Sequence, residues 1–211
     1  MRVTITASQG EESTQFVLGA VYYVFLTAGI MALGYAGYVE LDRYWYQEVE
    51  TSKLEMVRAP AEPPTIEAGR IADGGVIGEI EVPRLKLKAI VVQGDSDALL
   101  RRAVGHLPET ALPDEAGNVA LAGHRDGLFR PLRHVLPGDL ITLATPDHEF
   151  QYEVQWTAVV PPNAVRVLQP TAEPTLTLVT CFPFYYVGAA PERFIVRARR
   201  ISTASRALRA P

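Results

Sequence analysis

Cysteine is nearly absent from this sequence of 211 residues, in which Cys181 stands alone. A single cysteine excludes an internal disulfide and any zinc or iron–sulfur site that needs several cysteine ligands. Histidine is also scarce, and none of the four histidines has metal-ligand spacing to another histidine or to Cys181; they are His106, His124, His134 and His148. We therefore expect no metal site and no cofactor.

Basic residues show no excess that would favour a nucleic-acid role. Residues 1–69 carry 4 basic and 9 acidic side chains, and residues 70–211 carry 16 basic and 15 acidic side chains. Because nucleic-acid binding needs a basic surface, we expect no nucleic-acid partner. The sequence also lacks the glycine loops GxGxxG and Walker A, the serine elbow GxSxG and the zinc motif HExxH.

One long hydrophobic run is present near the N-terminus. Phe16 to Val39 are 24 residues without a charge, and a helix of that length measures about 36 Å, enough to cross a hydrocarbon core of about 30 Å. A signal peptide would have a basic start and a shorter apolar stretch, and a core helix would hardly be apolar on every side. We therefore predict a transmembrane helix over residues 16–39, preceded by an N-terminal tail of residues 1–15.

Residues 40–73 are interpreted as a juxtamembrane segment, with a helix that continues out of the bilayer, followed by a proline-rich linker between Ala59 and Gly69. The basic residues after the span outnumber those before it, with Arg43, Lys53 and Arg58 against Arg2. This count leans toward a cytoplasmic C-terminal domain, although a long folded domain can translocate regardless of so small a bias.

Residues 70–211 are predicted to be mostly β. Strand-like hydrophobic runs separated by turn residues lie at residues 76–82, 85–92, 118–122, 139–144, 149–160 (bent, or two strands), 175–181 and 193–201. Ser96 is a candidate N-cap for a short helix through Val104. Short strands at this spacing predict an enclosed antiparallel all-β domain, either a sandwich or a closed barrel.

Cys181 ends the strand-like run TLTLVTC and precedes a loop. A free cysteine is usually a small buried hydrophobe, but an unpaired thiol at a strand end also suits an exposed nucleophile. Such a thiol needs a base, and His124, which follows the run VALAG, is the best placed histidine. The alternative for His124 is a hydrogen-bonded structural role. Gly123 before it would allow a close approach or an unusual backbone angle.

Arg193 begins the last predicted strand and is a candidate for stabilising a developing oxyanion. The alternative is an ordinary surface arginine, which is what we expect Arg197, Arg199 and Arg200 to be on the same face of that strand. The aromatic residues after Cys181 either exclude solvent from a reaction site or pack the mouth of the barrel; they are Phe182, Phe184, Tyr185 and Tyr186.

Three segments resemble the signature segments of the sortase family, and they occur in the family's order. They are LAGHR (Leu121–Arg125), TLVTC (Thr177–Cys181) and the arginine of PERFIV (Pro191–Val196). The fuller stretches, residues 123–132 and 177–198, are most similar to class D sortases. The match covers residues 74–201 as one domain, which leaves residues 202–211 as a C-terminal tail. The resemblance implies an eight-stranded closed β-barrel with short helices behind one transmembrane helix. It also implies that Cys181 is the nucleophile, His124 the general acid/base and Arg193 the oxyanion or substrate clamp.

The activity implied by the resemblance is that of a cysteine transpeptidase in the plasma membrane, with its catalytic domain outside the cytoplasm. Such an enzyme cleaves an LPxTG-like C-terminal sorting signal of secreted proteins after the threonine, through a thioester, and joins the threonine to an amine of a cell-wall precursor or a pilin lysine. The residues themselves also allow a cysteine peptidase that uses water, or a membrane-tethered β module without chemistry. We expect His106 to be structural, and His134 and His148 to lie at the surface.

Overall fold

The computed structural model describes residues 9–57, 71–186 and 188–205. They fall into two compact units that divide between Tyr44 and Trp45. The first unit is formed by most of the long helix α1, which spans Gln9–Val57. The second unit contains the end of this helix and all eight strands. The proline-rich stretch 59–69, the first residues of the N-terminal tail and residues 206–211 of the C-terminal tail lie outside the described residues.

Helix α1 contains the predicted span and extends beyond it in both directions. Its stretch Leu18–Thr51 is long and apolar enough to cross a membrane by length and composition, and its apolar window is not buried inside the protein. Large side chains such as Leu33 and Tyr38 are exposed. A core helix would bury such residues, so the alternative of a buried core helix is disfavoured.

The second unit is a closed barrel, as the resemblance implied. Its strands are β1 (Val76–Val82), β2 (Leu87–Gln93), β3 (Val104–His106), β4 (Asn118–Ala122), β5 (Leu140–Ala144), β6 (His148–Val160), β7 (Thr175–Phe182) and β8 (Glu192–Ser205). Around the barrel they follow the order β1-β2-β3-β4-β7-β8-β6-β5. The β2–β3 and β4–β7 pairs are parallel, and the other six pairs are antiparallel, so the prediction of an antiparallel domain was wrong for two pairs. A parallel pair needs a crossover connection, which local turn residues do not reveal.

The helix predicted from the N-cap Ser96 through Val104 is about twice as long as the helix in the structure. The helix α2 spans only Asp97–Leu100, with the hydroxyl of Ser96 accepting a hydrogen bond from the Leu99 N–H, as an N-cap should. Val104 instead begins β3, where it pairs with Val91 of β2 and is fully buried. Val104 is in a strand because β3 pairs with β2 on one side and β4 on the other. No local pattern in residues 101–106 reveals this pairing.

The barrel core is built from the alternate residues of the strands that face inward. In β7 these are Leu176 and Leu178, and in β8 they are Val196 and Ala198, all fully buried. Strand β6 is a single strand with two irregularities in its register against β8. Such bulges bend a strand, which allows β6 to follow the curved wall. Strand β8 continues to Ser205, past the predicted end of the domain at residue 201.

Candidate active site

The three candidate residues lie at one end of three neighbouring strands. Cys181 of β7 pairs directly with Arg193 of β8. On its other side β7 runs parallel to β4, where Ala122 opposes Val179, so His124 leaves β4 at the level of Cys181. Directly opposed residues of antiparallel strands face the same side, with Cβ atoms about 4.5–5.5 Å apart. Cys181 and Arg193 therefore share one face at the edge of the barrel, opposite the core-facing leucines of β7, and His124 follows the neighbouring strand at the same level.

The end of β4 is fixed by close packing around Gly123. Its N–H donates a hydrogen bond to the Val179 carbonyl at 3.2 Å, and its own carbonyl accepts one from the Thr180 hydroxyl at 2.7 Å. A Cβ atom at this position would lie 2.7 Å from the ring of Phe129, which is fully buried. The glycine is therefore needed for close approach, which is one of the two reasons expected for it. This packing determines where His124 enters the site.

The His124 side chain is 33% exposed and faces the short helix α2. Its Nε2 lies 3.5 Å from Oδ1 of Asp97. The other carboxylate oxygen of Asp97 accepts a hydrogen bond of 2.8 Å from the guanidinium of Arg101, one turn further along the chain. The ring thus has an acceptor within reach of Nε2 while remaining accessible to solvent, which suits a group that must take and return a proton.

Cys181 and Arg193 are both partly buried. The Nη1 atom of Arg193 donates to the carbonyls of Ala190 and Glu192, at 3.3 and 3.0 Å. These contacts hold the guanidinium against the loop that precedes β8. A guanidinium has five N–H donors, so donors remain for an oxygen of a bound substrate.

Arg197 is not the surface residue that we expected. Only 9% of it is exposed, and its guanidinium donates to the Val167 carbonyl at 2.7 Å and to the Thr175 hydroxyl at 3.4 Å. The ring of Trp156 covers it at 5.6 Å. Burial lowers the pKa of Arg197 below its ordinary value. The expectation failed because the segment between β6 and β7 folds over this part of β8.

The expectation was also wrong for Arg200. It shares the face of Val196 and Ala198, not that of Arg193, and its guanidinium stacks on the rings of Phe150 and Tyr152 at 4.6 and 5.5 Å. Simple alternation along a strand predicts this face, since residues at even spacing point to the same side. Of the three arginines, Arg199 is the exposed one.

The aromatic residues after Cys181 divide between the two roles considered for them. Phe182 and Phe184 form a cluster with Phe194, with ring centroids 5.3–6.3 Å apart, and Phe184 packs against the core. Tyr185 and Tyr186 are 76% and 47% exposed. The phenylalanines therefore have the packing role, whereas the tyrosines are exposed and can border a bound peptide.

His106 has the structural role expected of it. It is buried, and its ring nitrogens lie 3.0 Å from the Gln93 side-chain oxygen and 2.9 Å from the Ala111 carbonyl. Burial lowers the pKa of His106, against the opposing effect of the Ala111 hydrogen bond. His134 is exposed, whereas His148 is only partly exposed. Among residues 9–57, 71–186 and 188–205, no group of three or more His, Cys, Asp or Glu is arranged to hold a metal ion.

Two residues beside the site were not singled out from the sequence. Asp97 faces His124, and Arg125 donates hydrogen bonds to the loop after Cys181. Arg125 lies within the segment LAGHR that carried the family resemblance. The sequence therefore drew attention to this residue but did not indicate what it does. Asp97 follows the recognisable N-cap Ser96, but its proximity to His124 depends on how β2, β3 and β4 pair.

Comparisons with known proteins agree with this geometry. Residues 80–201 match the sortase domain family. The chain is 29% identical to sortase D of Bacillus subtilis over 192 residues, which cover 84% of this chain and 96% of the relative. It is also 29% identical over 189 residues to sortase SrtE1 of Streptomyces coelicolor, covering 78% of this chain and 52% of that protein.

Solved structures give the same result. The sortase D5 transpeptidase of Clostridium perfringens superposes with a TM-score of 0.62 at 28% identity, covering 76% of this chain and 99% of that one. Sortase E1 of Streptomyces coelicolor, solved with a tripeptide in the active site, gives a TM-score of 0.57 at 30% identity, covering 65% and 95%. The chain belongs to the sortase family, whose members are cysteine transpeptidases. The expected resemblance to class D sortases is confirmed by the sortase D relatives.

Proposed function

We propose that Cys181 is the nucleophile of this transpeptidase, His124 its general acid/base and Arg193 its oxyanion or substrate clamp. The observation that carries the proposal is the strand register, in which Cys181 pairs with Arg193 while His124 leaves β4 at the same level. Cys181 is also the single thiol of the chain.

In the first half of the reaction, the Cys181 thiolate attacks the carbonyl carbon of the scissile peptide bond. The electron pair of the C=O bond moves to its oxygen, and the guanidinium of Arg193 stabilises the resulting negative charge. When the intermediate collapses, the C–N bond breaks and the leaving amine takes a proton from the His124 imidazolium. The product is a thioester between Cys181 and the acyl part of the substrate.

In the second half, an incoming amine attacks the thioester carbonyl and gives its proton to the neutral His124. The C–S bond breaks, the thiolate of Cys181 is restored and an amide is released. Water competes for the same thioester and would produce an acid. The exposed rings of Tyr185 and Tyr186 lie on the loop that follows the nucleophile, where they can restrict the approach of water.

The proposed substrates are secreted proteins that carry an LPxTG-like C-terminal sorting signal, and the proposed acceptor is an amine of a cell-wall precursor or a pilin lysine. Support comes from the family, which acts on sorting-signal proteins and amine acceptors in general. We further propose that residues 16–39 form a single span in the plasma membrane, with residues 40–73 as the juxtamembrane segment and linker. The catalytic domain, residues 74–201, would then lie outside the cytoplasm.

The transpeptidase role is tested by incubating the purified protein with a fluorescent LPxTG-type peptide, with and without a glycine-based amine, and identifying the products by mass. We expect the threonyl amide when amine is present and the threonyl acid without it. An acid product at every amine concentration would identify a peptidase instead. If no product forms and a thiol reagent does not alkylate Cys181, the result would favour the alternative of a membrane-tethered module without chemistry.

The topology is tested with a cysteine placed just before the barrel domain, Ala72→Cys, in a Cys181→Ala background, because Ala72 is exposed. A membrane-impermeant maleimide should label this cysteine in intact cells. Labelling only after lysis, with a cell-surface protein labelled as a control, would place the domain in the cytoplasm, as the count of flanking basic residues suggests.

A further inference from the structure

Arg125, the residue after His124, reaches across to the loop that follows the proposed nucleophile. Its Nη1 donates to the Pro183 carbonyl at 3.1 Å, and its Nη2 donates to the carbonyls of Tyr186 and Gly188 at 2.7 and 2.9 Å. One guanidinium therefore binds three backbone carbonyls of the β7–β8 loop, which we define by its described residues 183–186 and 188–191. The planar fork of arginine suits this arrangement, and a lysine ammonium does not reproduce it.

Two aromatic contacts hold the same loop to the segment after β4. The guanidinium of Arg125 lies 5.8 Å from the ring of Tyr186, and that of Arg133 lies 5.6 Å from the ring of Tyr185. A guanidinium placed over an aromatic ring is attracted by the negative face of the ring. The hydrogen bonds and the ring contacts together attach the loop to the chain that carries His124.

The other end of the loop is attached to Arg193. The Nη1 atom of Arg193 donates to the Ala190 carbonyl at 3.3 Å and to the Glu192 carbonyl at 3.0 Å. The loop therefore connects Cys181 on β7 to Arg193 on β8, and Arg125 fixes its middle. Movement of the loop would displace the carbonyl on which Arg193 rests.

We propose that Arg125 is a positioning residue, which holds the β7–β8 loop and, through the loop, sets the position of the Arg193 guanidinium. The proposal rests on the oxyanion or clamp role proposed above for Arg193. Arg125 acts through the backbone of the loop and does not itself bind the reacting atoms. A misplacement of about 1 Å at a catalytic group can cost about 100-fold in rate, so the loss of Arg125 should lower turnover without removing any reacting group.

The experiment measures kcat/KM for amide formation in four proteins: the wild type, Arg125→Lys, Arg193→Lys and the double variant. We expect Arg125→Lys to lower kcat/KM by between about tenfold and 100-fold. In the Arg193→Lys background, the same change should cost less than about threefold, because the group that it positions has already been lost. If Arg125→Lys lowered kcat/KM by the same factor in both backgrounds, the proposal that Arg125 acts by positioning Arg193 would be overturned.

A matched control is Arg130→Lys, which alters an exposed arginine of the same segment that makes none of the three bonds to the loop. It should retain wild-type kcat/KM within about twofold, in keeping with the small effect of most surface changes. A wild type that forms no amide would refute the proposed function, whereas an active wild type with a fully active Arg125→Lys would refute only this inference.

A second readout does not depend on activity. Chymotrypsin cleaves after exposed aromatic residues, and Tyr185 and Tyr186 both lie on the loop. If Arg125 holds the loop, Arg125→Lys should accelerate cleavage at these two sites several-fold while cleavage elsewhere stays unchanged. Unchanged cleavage at both tyrosines would overturn the proposal, and faster cleavage throughout the domain would assign Arg125 to general stability instead.

Discussion

The β7–β8 strand pair carries two groups of polar side chains on one face, and the two groups have different surroundings. The first, which we call the catalytic end, contains Cys181 and Arg193, with His124 beside them, and all three are partly exposed. The second, which we call the network end, contains Thr177 and Arg197 with the neighbouring Asn118 of β4, and all three are buried.

Asn118 is the centre of the network end. It is 1% exposed, and its side-chain nitrogen donates to the carbonyls of Val167 and Gln169 at 3.1 and 3.2 Å. Its oxygen accepts a hydrogen bond of 2.5 Å from the Thr177 hydroxyl. The bonds to Val167 and Gln169 hold the segment between β6 and β7 against the barrel. The comparison separates polar residues of one strand face that solvent reaches, for which we propose catalytic roles, from polar residues that a loop covers and that hold the loop to the barrel.

The largest effect that separates the two ends is expected for Cys181→Ala. The thioester mechanism has no other comparable nucleophile, because Cys181 is the single thiol in the chain. We expect both cleavage and amide formation to be abolished while the midpoint of thermal unfolding stays near that of the wild type. Turnover by the purified variant above the background of a no-enzyme control would contradict the thioester mechanism.

Arg193→Lys should leave the fold intact and lower kcat/KM by about 10²–10³, the usual cost of losing one oxyanion donor. Lysine keeps the charge but presents a compact, strongly hydrated ammonium in place of the planar fork. The measurement is steady-state kinetics of amide formation. Arg199→Lys is the matched control, because Arg199 lies on the same strand and is exposed, and it should stay within a few-fold of the wild type. Near-normal turnover of both variants would leave Arg193 without a role in the reaction.

Asn118→Ala should affect stability rather than chemistry. The substitution removes the partner of the Thr177 hydroxyl and of the Gln169 carbonyl, whereas the Val167 carbonyl keeps its hydrogen bond from Arg197. Leaving such buried groups unpaired costs about 1–3 kcal/mol in the free energy of unfolding. Urea denaturation measures this cost. Asn163→Ala changes an exposed asparagine of the segment that covers the network end and should cost less than about 0.5 kcal/mol. A loss of activity without a loss of stability would assign Asn118 to the catalytic end.

The buried His106 predicts a dependence of stability on pH. Burial lowers the pKa of His106 in the folded chain, so the unfolded chain binds more protons once the pH falls below its ordinary pKa of about 6.5. The contribution of the neutral ring to stability is therefore present above that pH and declines as the pH falls below it. Denaturation between pH 7.5 and 5 should show this decline, and His106→Gln should make it shallower.

The smallest effect is expected for Asp97→Asn. The asparagine keeps an oxygen near Nε2 of His124 but loses the charge, and the carboxylate is well exposed at a distance of 3.5 Å. Exposed ion pairs contribute about 0.2–1 kcal/mol, so we expect kcat/KM to fall by less than about fivefold. Asp95→Asn, at an exposed carboxylate just before α2, is the control. A loss of 100-fold would mean that Asp97 takes part in the chemistry directly.

Local pattern in the sequence predicted most strands because alternation of hydrophobic residues reports which face is buried. It placed β1 and β4 at the bounds that the structure gives them, and it placed Cys181 at a strand end. The short strand β3 was missed, since Val104 pairs through contacts with residues distant in the chain. For the same reason, the pattern could not reveal that Asp97 faces His124.

The sequence by itself determined which residues can do the chemistry, since one thiol, four histidines and the three family segments leave few candidates. Only the tertiary structure decided that Cys181 pairs with Arg193 and that His124, just after the end of β4, lies level with Cys181. It also decided that Arg193 is partly exposed while Arg197, four residues later on the same strand, is buried beneath Trp156. The physical reason is that alternation along a strand specifies the side to which a residue points, whereas its exposure to solvent depends on which distant segment covers that side.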